Sequence, residues 1–104
     1  MIKEEMICGY GFIDYHEKHY PGQSITPIDS EQVNKCRQFI REKMKPNRRG
    51  HTSYHLKHVV EKEYNYYIAN GAFIVAAIRE GVPIKRDGFS PNVIVFMSYQ
   101  KIKE

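Results

Sequence analysis

A chain of 104 residues with net charge +4 has the size of one hydrophobic core, and its 41% apolar fraction is enough to fold, which argues against a second domain and against disorder. No apolar run approaches the roughly 20 residues that cross a bilayer, and Met1-Ile2-Lys3-Glu4-Glu5 has no apolar signal-peptide core, so the expected location is the cytoplasm, with no membrane partner. Between Lys35 and Lys62 nine Lys/Arg stand against two acids, a local charge of +7 that leaves −3 for the rest of the chain.

In chain order, Met6 to Ile13 mixes β-formers with Gly9 and Gly11 and predicts a short strand with a bend. His16 to Pro27 reads as a loop, with Tyr20-Pro21-Gly22-Gln23 as a type II turn inside it. Asp29 or Ser30 caps a first helix, whose apolar stripe is Val33, Cys36, Phe39, Ile40 and Met44 and which ends before Pro46. Asn47-Arg48-Arg49-Gly50 is a basic turn, and Thr52 or Ser53 caps a second helix with Leu56, Val59, Val60 and Tyr64 inward and the Lys57/Glu61 pair on its wet face. That helix frays near Asn65, and Asn70 caps a third, Ala72 to Glu80, which Gly81 and Pro83 stop. Ala72 to Ile78 is apolar on nearly every side, so this helix is enclosed or covered by a partner.

Val82–Arg86 and Val93–Met97 then predict a hairpin around Asp87-Gly88, and the unbroken apolar run of the second strand makes it central, beside Ile84 and the Ile7 region. The result is one domain over 1–104: an N-terminal strand and loop (1–28), a helix-helix-helix-hairpin core (29–98) and a polar tail (99–104). The fold class is α+β, three helices with a small antiparallel sheet or hairpin wing.

Other chemistry finds little support. Cys8 and Cys36 are isolated thiols, expected to be reduced and buried rather than bridged. His51, His55 and His58 are spaced for a shared helix face, but a helix start near Ser53 leaves His51 out and no recognised zinc pattern completes the set. His16 or His19 with a cysteine lacks an orienting third group, and there is no glycine-rich phosphate cradle. No catalytic residue, metal or cofactor is therefore expected. The tyrosines Tyr64, Tyr66 and Tyr67 suit either a recognition surface or a core plug.

The order of capped helix, short connection, capped helix and basic hairpin resembles the winged helix-turn-helix family over about Ser30 to Ser98. The resemblance places the second helix at Ser53 to Lys62, the recognition helix at Asn70 to Glu80 and the wing at Lys85 to Asn92. A second likeness, through Ser53-Tyr54-x-Leu56-Lys57-His58 and Tyr67-Ile68-x-Asn70-Gly71-Ala72-Phe73-Ile74, is to small uncharacterised proteins of phages and other mobile elements. Such proteins include regulators and inhibitors of host defence.

Together these imply a small basic accessory protein that acts by binding DNA or RNA. The alternative is an anti-CRISPR-like inhibitor docking on a host nucleic-acid-handling nuclease complex. The expected surface is Arg37, Arg41, Lys45, Arg48, Arg49, Lys57, Lys85 and Arg86, with Asn70, Arg79, Tyr66 and Phe89 as further positions facing a partner. Exposed apolar surface would also admit a homodimer.

Overall fold

Helix α4 (Asn70–Arg79) is apolar on nearly every side, and such a helix persists in water only when it is enclosed. In the computed structural model, which describes residues 1–99, every residue from Asn70 to Ala77 is buried. The enclosure is built by α2 (Ser30–Lys43), by α3 (Ser53–Tyr64), and by a hairpin of β1 (Ile7–Cys8) and β2 (Gly11–Phe12) that lies against the first turn of α4. One apolar cluster runs through all of them, with Phe39 and Val33 of α2, Leu56 and Val60 of α3 and Phe73 and Ile74 of α4 at its centre.

Val93 and Val95 add to that cluster from β5 (Val93–Tyr99), the middle strand of a second, three-stranded antiparallel sheet. Its edges are β3 (Met44–Thr52) and β4 (Ile84–Arg86), with Ile84 and His51 both opposite Val95. Strand β3 starts where α2 stops and carries a bulge between Pro46 and His51. An edge strand tolerates Pro46, and inside the bulge the Asn47 side-chain oxygen accepts from the Arg49 and Gly50 backbone N–H groups while Gly50 takes φ +66°.

Several local expectations hold. Asp29 caps α2 by accepting from Gln32 N, Thr52 caps α3 by accepting from His55 N, and Asn65 ends α3 in the left-handed region. Gln23 N donates to Tyr20 O across the Pro21-Gly22 turn, and Gly81 follows α4 at φ +70°.

Others are corrected. The described residues hold four helices, not three, because Ile13–His19, which includes the start of the expected loop, forms helix α1 with His16 turned inward. The Asn47–Gly50 turn is a bulge within β3, and the neighbour of β5 on that side is β3, not the Ile7 region, which pairs with its own hairpin partner. Asn70 is not a cap: Ala69 holds that position, and the Asn70 side chain is committed elsewhere. Apart from Tyr99, the expected tail (99–104) lies outside the described residues.

The hairpin docks through backbone. Gly71 N donates to Gly9 O, and a Cβ on Gly71 would overlap the Cys8 carbonyl oxygen. Gly71→Ala is expected to destabilise the chain by about 1–3 kcal/mol, since that carbonyl is part of the backbone and has no rotamer to escape into. Thermal unfolding should register a fall of several degrees at least.

Candidate functional site: a tyrosine-walled cavity and a basic strand edge

The segments that meet at the first turn of α4 leave a cavity of about 530 Å³ between them. Tyr10 comes to its wall from the β1–β2 turn, Tyr15 and His16 from α1, and Tyr20 from the residue that ends α1. Tyr54 and Lys57 come from the start of α3, Tyr67 and Asn70 from the connection into α4, and Asn92 from the loop before β5. Tyr10 and His16 are stacked, with ring planes 6° apart and centroids at 5.2 Å. A volume of this size falls within the range of about 300–1,000 Å³ typical of small-molecule sites.

Lys57 is 7% exposed, a correction to its expected place on the wet face of α3. Ser53, Leu56, Lys57 and Val60 are the buried positions of that helix, so the lysine belongs to the inner stripe. Its ammonium lies 5.2 Å from the ring centres of both Tyr54 and Tyr67, and its one ion pair among the described residues, to Glu61 Oε2, is 3.6 Å long, beyond a good hydrogen bond.

Asn70 is buried too, and its Nδ2 is surrounded by Tyr10 O at 3.1 Å, Pro91 O at 3.3 Å and Asn92 Oδ1 at 2.9 Å. Three acceptors on one side fix the amide and identify its other atom, Oδ1, as the oxygen. That oxygen and His16 Nε2 are closed to solvent and have no hydrogen-bond partner among the described residues.

Of the eight cations expected on a binding surface, four are engaged within the chain, Lys57 among them. Glu80 takes Arg37 Nε at 2.7 Å and Arg41 Nη2 at 2.8 Å, and these bonds hold its carboxyl below the usual range. Arg86 forms a two-point pair with Asp14, at 2.6 and 2.8 Å, and lies 3.8 Å above the Phe12 ring, so it ties β4 to α1 rather than facing outward. Arg79 pairs with Glu4, and Asn70 is inside, so neither is free for a partner. Tyr66 and Phe89 are exposed, each with a cation over its ring: Lys35 for Tyr66 and Arg86 for Phe89. Lys45, Arg48, Arg49 and Lys85 are exposed and pair with no described carboxylate; the first three share the bulged edge strand β3.

The remaining candidates also fall into place. His51 and His55 are neighbours with ring centres 5.4 Å apart, whereas His58 turns to Glu61 at 2.7 Å, and among the described residues no group of three His, Cys, Asp or Glu is placed to hold a metal ion. Both cysteines are free and buried; burial, with Glu61 adding to it, pushes the Cys36 thiol up to about 12, far from the thiolate a nucleophile needs. No described helix is long and apolar enough to cross a membrane.

The cavity itself went unread in the sequence. Its available signal was Lys57 one position beyond Leu56 and three before Val60, on the apolar stripe, together with tyrosines at 10, 15 and 20. The two runs that carry the second resemblance converge here, since Tyr54, Lys57, Tyr67 and Asn70 all line the cavity. Comparison with family models, curated proteins and solved structures finds no match to this chain.

Glu61 positions this wall: its carboxylate accepts from Ile68 N at 3.1 Å and from His58, and faces Lys57. Burial pushes the carboxyl up, but the Ile68 N–H, His58 and Lys57 together outweigh it and hold it below 4.5. A depressed folded-state value stabilises the protein above the unfolded value and stops doing so as pH falls through the folded one. The stability advantage of wild type over Glu61→Gln is therefore expected to shrink as pH falls below about 4.5, through the carboxylate range, as thermal melts there will show.

Proposed function

We propose that this chain is a non-catalytic accessory protein that binds nucleic-acid backbone through the exposed edge of β3. The observation that carries this reading is the sorting of cations: Lys45, Arg48 and Arg49 remain exposed and without a described carboxylate on one strand, while Arg37, Arg41, Arg79 and Arg86 are paired. Guanidinium and ammonium groups in that state are available to phosphates, and Lys85 on the opposite edge strand adds a further one. Helix α4 is enclosed, so in this reading the sheet edge rather than a recognition helix meets the duplex, and binding through phosphate carries no base preference. The winged-helix resemblance enters only through the hairpin that carries Lys85.

A second reading, an inhibitor that docks on a host nucleic-acid-handling complex, draws on the exposed aromatics Tyr54, Tyr67 and Phe89, the side-chain type that anchors protein interfaces.

The first reading predicts duplex binding at low salt, with an Arg48→Ala/Arg49→Ala variant weaker on every sequence. Each cation removed from a phosphate lowers the slope of log affinity against log salt by about 0.9, so the double variant reduces it by up to about 1.8. Arg37→Ala/Arg41→Ala should change that slope less, because those guanidiniums already neutralise Glu80. Fluorescence anisotropy with labelled duplex at several salt concentrations measures both; no binding at low salt removes this reading in favour of the protein partner.

A further inference from the structure

We propose that the cavity between α1, the start of α3 and the Tyr67–Asn70 connection is a nucleotide pocket, which stacks a flat base on tyrosine rings and holds its phosphate on the Lys57 ammonium.

Lys57 supplies the first argument. An ammonium offers three N–H donors, and here a long ion pair to Glu61 and two tyrosine faces are its surroundings. Tyrosine faces stabilise a cation without accepting its protons along a hydrogen bond, so the group retains donor capacity toward the cavity that it lines. An anionic oxygen is the ligand atom that uses it.

The walls supply the second. Five tyrosines surround the space, and aromatic rings accept any base by stacking. Tyr10 already stacks flat on His16, which shows that planar groups pack against one another at this wall. Size agrees with a ligand of this kind. The preference for a nucleotide over another flat anion rests on the nucleic-acid reading above; the cavity and its cation do not.

Calorimetric titration of the full chain with adenosine monophosphate, adenosine, inorganic phosphate and a single-stranded oligonucleotide tests the proposal. The monophosphate is expected to bind at least about tenfold more tightly than adenosine or phosphate alone. Tyr67→Ala, at an exposed ring, should weaken it roughly ten- to a hundredfold, and Lys57→Met should do likewise. No binding of the monophosphate at millimolar concentration, or binding that neither variant weakens, overturns the pocket.

The same titrations separate the source of the ligand. An oligonucleotide that the monophosphate displaces and that Lys57→Met weakens identifies a nucleotide within a strand, whereas monophosphate binding beside an oligonucleotide insensitive to Lys57→Met identifies a free nucleotide. Oligonucleotide binding abolished in Arg48→Ala/Arg49→Ala, with no monophosphate binding, overturns the pocket and keeps the strand edge. Monophosphate binding with no binding of either the oligonucleotide or a duplex at low salt does the reverse.

Discussion

The Asn70 carboxamide donates to oxygens on two separate segments, Tyr10 in the β1–β2 turn and Pro91 and Asn92 before β5, and the next residue, Gly71, donates its backbone N–H to Gly9. The first turn of α4 thereby becomes the junction at which the N-terminal hairpin, the loop into β5 and the central helix are joined. Gly71 makes this geometrically feasible, because only a residue without Cβ lets the Cys8 carbonyl come so close to a helix. Gly11, at φ +124°, allows the same approach from the other side, where Phe12 N reaches Pro91 O. Burial of α4 supplies the driving force for folding, and this junction decides where the hairpin and α1 sit on it. The cavity is the space that these constraints leave.

Charge is arranged with similar economy. A carboxylate at the C-terminal end of a helix faces the negative end of the helix dipole, which disfavours it, yet Glu80 stands there at the end of α4. Arg37 and Arg41, four apart on α2, put two guanidiniums on that one carboxylate and reverse the local balance. Arg86 does comparable work between β4 and α1, clamped by Asp14 and flattened on Phe12. Of the nine cations in the segment that reads as +7, Arg37, Arg41, Lys43 and Lys57 are paired, and three of the other five share β3.

The elements whose signals are local were legible. The α2 stripe, the Asp29 and Thr52 caps, the Pro21-Gly22 turn, the Gly81 stop and the β4–β5 hairpin all follow from residues within a few positions of one another. What failed depended on distant partners. Asn47 and Gly50 have turn chemistry and use it, but inside a strand whose identity comes from pairing with β5 some 45 residues later. Helix α1 has no apolar stripe to announce it, because its inward residue is His16. Asn70 is of a type that caps helices, and the carbonyls that claim it instead lie 60 and 21 residues away. Of the site, the exposed cations of β3 were named from the sequence and the cavity was not, since no short window brings residues 10, 16, 57, 70 and 92 together.

Lys57 gives the cavity its chemical interest, and stability alone does not account for it. The position lies on the buried stripe of α3 with Leu56 and Val60, where methionine or leucine would bury more apolar area and leave no charge to solvate. Replacing a buried ion pair with apolar side chains is often neutral or stabilising, and the pair here is a long one. The surrounding structure nevertheless provides for the cation: Glu61 is held in reach by the Ile68 N–H, and two tyrosines turn their faces to the ammonium. These features compensate a charge that folding does not require and keep it beside open space. On the proposal of a nucleotide pocket, a buried cation maintained in this way serves what enters the cavity.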